Sequence, residues 1–480
     1  MRRMCDIRGS RLDAAGNRVV EIELTAVRTH PEDVAKLVRR KGPFSLRYEV
    51  SLGDHRLSGA IDPEQPIFEL VFEHGRHPHG VWELRVEAED ESGRTREIWR
   101  QWLFVQTKLR RTVEEIDALA MRYSPVFVFS GAEKYYPVSL ETLLGAEEIM
   151  ATDEVMKLKT VFGKESVPIR QLAEFMRFNG HCNYLLDFSF LSMRRSVFAL
   201  LGGDPRRATI YYSYLEDPAS DRFFINYHLF YAFDTKAGIA RLTGIGPHVF
   251  DRESMIMVFE GESGEESAPS AMIISGHLEN QTISFLAELK RWTQGRLAVR
   301  YDDPRTLKMG THPVIAVAEG SHALYPTSGV YQLSLLRELA GYLDPKVMAS
   351  DRRPNMPGAL APTQVLSPPA LRATVRPGAG PEEGVPHYRL ASLDFSSLTS
   401  HVDDAAPPRD PYRAYLTFSG FWVDVPGTQN ARFPPFTRKV AEIVDWVDGA
   451  YAWAWDDVPE RYHQNNAVIL GYLRENLEDF

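Results

Sequence analysis

The sequence predicts a mostly β protein of the α+β class: an immunoglobulin-like sandwich, then a larger β-sandwich with peripheral helices. Three observations predict it. Apolar and polar residues alternate with period two through the first part of the chain, the pattern of a sheet with one buried and one wet face. Short aromatic and β-branched runs recur after residue 123, separated by turn residues. Helical 3.6-residue spacing appears in only a few segments.

In chain order, Val20, Ile22, Leu24 and Ala26 alternate with polar neighbours, as do Phe44, Leu46, Tyr48 and Val50. Trp82, Leu84, Val86 and Ala88 interleave with Glu83, Arg85, Glu87 and Glu89. The turn Glu91-Ser92-Gly93-Arg94 then returns the chain toward Trp99, Trp102 and Phe104. Residues 1–107 are therefore assigned to an immunoglobulin-like or fibronectin-like sandwich, a module suited to docking a protein partner. Thr112 and Glu115 have capping-box spacing before a stripe of Ile116, Leu119, Ala120 and Tyr123, and Pro125 ends that helix. The second domain is placed at 108–480. Its expected strands are Pro125–Phe129, Thr209–Tyr214, Arg222–Phe233, Ser254–Phe259, Ala271–Ile274 and Val314–Ala318. Gln171–Phe178 and Val330–Tyr342 read as helical. Eight prolines in 351–386 predict a long surface loop. Structure is expected to resume at Tyr412–Gly420 and to end in a helix over Phe436–Trp455, with Val440, Ile443, Val444 and Val447 on its apolar face.

Composition limits the function. The 480 residues are 44% hydrophobic and 25% charged, which excludes a largely disordered or disulfide-dense chain. A net charge of −10 argues against nucleic acid as partner. No apolar run reaches the ~18 residues of a membrane span. Cys5 and Cys182 read as free thiols in a reducing compartment. The first ten residues hold basic side chains but no apolar core, so no secretory signal is expected; the chain is placed in the cytoplasm as synthesised, with export by another route left open. Gly-x-Ser-x-Gly, Walker, dinucleotide-binding and His-Glu-x-x-His motifs are all missing.

The chemistry concentrates in one stretch. Asn226–Phe233 is an aromatic strand ending at a carboxylate, Asp234, and Gly246-Pro247-His248 leads into Asp251-Arg252-Glu253. On a strand, Asp251 and Glu253 share one face and Arg252 takes the other. With His248 turned onto the same side, they form a candidate first shell for a divalent cation. The same acids have a plainer alternative, pairing with Arg252, Arg241 or Lys236. His277 and His322 each follow a small-residue turn at a strand end, where sheet proteins build sites, and each alternatively serves as a core histidine. His74, His77 and His79 read as a solvated turn.

Taken in order, several segments resemble the vacuolar protein sorting-associated protein 62 family over about residues 120–440. They are Tyr123-Ser124-Pro125 with Glu133-Lys134-Tyr135-Tyr136-Pro137, Tyr211–Tyr214, Tyr227–Phe233, Gly246–Glu253, Ser275-Gly276-His277, Gly320-Ser321-His322-Ala323-Leu324-Tyr325, Phe418–Trp422 and Pro434-Pro435. More distantly, His248, Asp251 and Glu253 are similar to the cation-binding heptapeptide of the necrosis- and ethylene-inducing protein-like cytolysins, toxins in which the ion helps hold a sphingolipid sugar. Phe250 and Arg252 depart from that heptapeptide. The resemblance implies a divalent cation, Mg²⁺ or Ca²⁺ rather than Zn²⁺, on Asp234, His248, Asp251 and Glu253. A sugar or phosphate headgroup, such as that of a membrane lipid, would then lie among Tyr227, Tyr231, His277, His322 and Tyr325. Two other readings stay open. One is a metal-dependent phosphoester or glycosidic hydrolase with Glu253, His277 or His322 as general base. The other is a non-catalytic sorting or assembly protein.

Overall fold

The computed structural model describes residues 6–24, 44–130, 133–139, 208–233, 249–261, 268–274 and 297–326, apart from 53, 63, 64, 66, 219, 319 and 321. It also describes the short stretches 150–153, 167–168, 184–187, 330–331, 363–364, 371–374 and 388–392. The chain is mostly β, as its alternation predicts.

Seven strands come first: β1 (Asp6–Leu12), β2 (Arg18–Glu23), β3 (Phe44–Leu52), β4 (His55–Ile61), β5 (Ile67–Phe72), β6 (Gly80–Asp90) and β7 (Thr95–Val105). They form two antiparallel sheets, β1-β2-β5 and β4-β3-β6-β7. Period two decides what each face does. Trp82, Leu84, Val86 and Ala88 are buried in a core with Ile22, Val50 and Phe72. On the wet face of the same strand, Glu87 and Glu89 pair with Arg47 of β3. The Trp82 indole N–H donates to Pro78 O at 3.2 Å, which satisfies the one polar group this large side chain carries into the core.

The helix α1 (Val113–Arg122) follows the signal read from sequence. Thr112 Oγ1 accepts the Glu115 amide at 3.2 Å, and Glu115 Oε2 accepts the Thr112 amide at 2.7 Å, so two end donors are satisfied reciprocally. Ile116, Leu119 and Ala120 form the buried stripe. Thr112→Ala is expected to lower stability by about 1 kcal/mol, the usual effect of losing such a cap, read as a shift in the urea midpoint at constant slope.

Beyond α1 come β8 (Val126–Ser130), β9 (Met150–Asp153), β10 (Val167–Pro168), β11 (Tyr184–Asp187), β12 (Thr209–Asp217), β13 (Arg222–Phe233), β14 (Val249–Glu260), β15 (Ala271–Ile274) and β16 (Leu297–Arg300). Then follow β17 (Lys308–Met309), β18 (His312–Val317), β19 (Leu324–Tyr325), β20 (Val330–Tyr331), β21 (Thr363–Gln364), β22 (Leu371–Thr374) and β23 (Arg389–Ser392). A six-stranded sheet runs β16-β15-β14-β13-β12-β23, and a second runs β17-β18-β8-β22 with β19 beside β18. One hydrophobic cluster joins them: Ile225, Leu229, Met255 and Met257 of the first, Val126, Ile315 and Val317 of the second, and Ile116 and Leu119 of α1. Both faces of β12 are buried, which accounts for tyrosines on both of its faces, at 211, 212 and 214. Tyrosine hydroxyls tie α1 and β8 to this core: Tyr212 donates to Asp117, Tyr227 to Ala120 O at 2.7 Å and Tyr388 to Pro125 O at 2.9 Å.

Two expectations are corrected. Val330–Tyr331, expected to open a helix, is a strand paired with β21. The stretch 351–386, expected to be loop throughout, supplies β21 and β22, and β22 pairs antiparallel with β8. Pro368, Pro369 and Pro377 flank Leu371–Thr374 without interrupting it, so its amides remain free for a ladder. The helices expected at Gln171–Phe178 and Phe436–Trp455, and the segment Tyr412–Gly420, lie outside the described residues.

Candidate functional site

Four segments converge at the Tyr231 end of β13. Tyr231 and Asp251 are cross-strand partners of β13 and β14, as are Leu229 and Glu253, so strand periodicity sets Tyr231, Asp251 and Glu253 toward the same core. Asp251 and Glu253 are buried, while Arg252 between them is half-exposed and belongs to the opposite face. The segment 133–139 runs beside β13, with the Val138 amide donating to Phe230 O at 2.8 Å. The fourth segment is the turn between β18 and β19. There the His322 amide donates to Ala318 O at 3.0 Å, and Gly320 and His322 take φ values of 71° and 55°. A left-handed conformation at a non-glycine residue costs on the order of 1–3 kcal/mol, and such strain collects at functional sites.

His322 is the hub. Its Nδ1 donates to Asp251 Oδ2 at 2.8 Å, and its ring stacks on Tyr231 with centroids 3.8 Å apart and planes 4° apart. Its Nε2 lies 3.6 Å from Glu133 Oε1, a charge contact too long for a hydrogen bond. Glu133 in turn accepts three amides: Lys134 and Tyr135 at Oε1 (2.8 and 2.9 Å) and Gly320 at Oε2 (2.6 Å). Glu133 thereby fixes the turn that presents His322.

The electrostatics follow from burial and these contacts. Burial opposes the charged form of His322, but the Asp251 bond and the charges of Glu133 and Asp251 outweigh it and raise its pKa to about 10. Burial likewise opposes the Glu133 carboxylate, yet His322 and the Gly320 and Tyr135 amides pull it down to about 2. Burial, together with Glu253, Asp251 and Glu133, holds the Tyr231 phenol well above its ordinary value. Its hydroxyl is buried and has no hydrogen-bond partner among the described residues. Asp251, Glu253 and Glu133 thus stand near a neutral phenol, with the His322 imidazolium stacked on it.

Of the residues named from sequence, Asp251, Glu253, Tyr231 and His322 are brought together here. Tyr227, Tyr231 and Tyr325, expected to line a ligand groove, are all fully buried in the hydrophobic core, and the Tyr227 hydroxyl donates to Ala120 O. Asp234, His248 and His277 lie outside the described residues. With its pKa raised, His322 favours its protonated form. Sequence reasoning missed Glu133 as a site residue. Its partner Gly320 stands 187 positions away, so no local spacing signals it. Among the described residues, no group of three or more His, Cys, Asp or Glu side chains could by itself hold a metal ion.

The unpartnered phenol makes a direct prediction. Tyr231→Phe is expected to leave stability unchanged or raise it by about 1 kcal/mol, because it removes a buried hydroxyl that makes no bond. Urea unfolding checks this, and a loss beyond about 1 kcal/mol would mean the hydroxyl is satisfied in solution.

No family model matches the chain, and no curated protein does. The resemblance to the vacuolar protein sorting-associated protein 62 family finds no support there. Among solved structures the chain is similar to necrosis- and ethylene-inducing protein-like cytolysins. One is the necrosis and ethylene inducing protein 2 from the causal agent of cocoa's witches' broom disease, at 12% identity and a TM-score of 0.27, covering 70% of this chain and 91% of that one. Others are NLPPya in complex with mannosamine and in complex with glucosamine, each at 14% identity and a TM-score of 0.23, covering 44% of this chain and 67% and 68% of theirs. At these TM-scores the likeness carries no argument, and the function is argued from the site's own chemistry.

Proposed function

We propose that the buried cluster around Tyr231 binds a hard divalent cation and, through it, a sugar or phosphate headgroup, acting as a binding protein. The observation that carries this reading is the burial of Asp251 and Glu253 beside an unpartnered phenol hydroxyl. Burying carboxyl groups is costly unless positive charge compensates them, and a divalent cation supplies such charge. The donor set fits the group. Carboxylate and phenol oxygens outnumber nitrogen, which favours Mg²⁺ or Ca²⁺ over Zn²⁺. The reading gives Asp251 and Glu253 the first two ligand positions and assigns the others to Asp234 and His248. His322 and Glu133 hold Asp251 in place from behind, as outer partners commonly orient a ligating carboxylate. The headgroup class itself rests on the sequence resemblance.

Isothermal titration of the chelator-stripped chain tests the cation. Saturable heat with Mg²⁺ or Ca²⁺ at one site is expected. Silence with Mg²⁺, Ca²⁺, Mn²⁺ and Zn²⁺ alike would overturn the reading.

A further inference from the structure

Away from this cluster, the first sandwich meets β12 through one buried histidine. His79 stands at the end of the turn 73–80, and its amide donates to Glu216 O at 3.2 Å. The Glu216 amide answers by donating to His79 Nδ1, also at 3.2 Å. His79 Nε2 contacts Thr107 Oγ1 at 2.9 Å, and Thr107 Oγ1 contacts His74 Nδ1 at 3.3 Å. The expected solvated turn is exposed at Glu73, Gly75 and Arg76 but buried at its end, where His77 and His79 lie with the buried Thr107 and Glu216.

These contacts fix the tautomer. An amide can only donate, so Nδ1 of His79 must be the acceptor and its ring proton must sit on Nε2, donated to Thr107. The Thr107 hydroxyl then donates to His74. A second proton has nowhere to go: on Nδ1 it would point at the Glu216 N–H. The charged groups facing the ring oppose it as well. They are Arg18 of β2, Arg110 between β7 and α1, and His74 of the same turn, each of which disfavours the charged ring. Glu216 offers the ring its backbone, while its carboxylate accepts the Arg110 amide and the Tyr214 hydroxyl, each at 2.8 Å. Burial first, then these groups, hold the His79 pKa down at about 3.

We propose that the His79–Glu216 contact is an acid-released latch, in which protonation of His79 frees the turn 73–80, and with it the first sandwich, from β12. The sign follows from linkage. The closed latch binds this proton only near pH 3, whereas an open histidine binds it near its ordinary 6.5. Between those values the open form gains a proton that the closed form lacks, so opening is favoured about tenfold for each pH unit lost. Glu216 titrates in the opposite sense, since burial raises its carboxyl and acid relieves that cost. Other ties at the junction include Gln106 Nε2 donating to Tyr214 O at 3.3 Å, Arg18 Nε donating to Gln106 O at 2.8 Å, and the Arg110–Asp221 ion pair at 2.8 Å.

Hydrogen exchange of the Glu216 amide on the full chain, corrected for the intrinsic pH dependence of exchange, reads the latch. Protection is expected to fall about tenfold per unit between pH 6 and 4 in the unmodified chain. His79→Asn places a carbonyl oxygen near the Nδ1 position and cannot titrate, so its protection is expected to stay flat. A flat profile in the unmodified chain, or an equally steep one in the variant, would overturn the latch. Nitrogen-15 shifts of the His79 ring need no variant. A neutral Nε2–H ring at pH 5 with the amide still protected is expected, and a ring protonated near 6.5 under that protection sinks the proposal.

Discussion

Glu133→Ala is expected to lower stability by about 3–5 kcal/mol, the range found when one partner of a buried ion pair is removed. The alanine leaves the Gly320, Lys134 and Tyr135 amides without their acceptor and deprives His322 of one of its two acidic neighbours. The strained turn at Gly320 and His322 then loses the group that clamps it. Glu133→Gln should fall between alanine and the native residue. Its one carbonyl oxygen can still accept amides, while its NH₂ faces a donor and its charge is gone. Urea unfolding of the three chains ranks them. Equal midpoints for all three would refute the idea that Glu133 anchors His322.

Asp251→Asn is expected to weaken cation binding more than about 100-fold, exceeding the ~10–100-fold typical of losing an outer partner, because it removes a ligand. The substitution also weakens the His322 contact, since a neutral amide oxygen replaces the carboxylate that accepts from Nδ1 at 2.8 Å. Circular dichroism on the same sample separates the outcomes. A folded variant that titrates with unchanged heat would remove Asp251 from the cation site. A folded variant with no heat, beside a native chain that gives it, supports the assignment.

These two residues differ in how far sequence exposes them. Asp251 and Glu253 are legible because strand parity is a local rule: alternate residues share a face, so the acids go inward together and Arg252 goes the other way. The same rule places Trp82, Leu84 and Val86 in the first core, and a four-residue polar pattern suffices to start α1 at Thr112. Parity cannot separate Tyr227 from Tyr231, which lie on one strand and one face. One ends against the carbonyl of Ala120 and the other near three carboxyl groups, because α1 packs over only one of them.

What the sequence determined by itself is therefore periodic: which residues form strands, which side of a strand is apolar, and that two acids share a side. The tertiary structure decided what depends on long-range packing. It brought Glu133 to the His322 turn, set His322 between two carboxylates, and buried His79 against Glu216. Backbone geometry repeats every two or 3.6 residues and can be read along the chain. The partner of a buried charge is chosen by how sheets stack, and no spacing in the sequence encodes that choice.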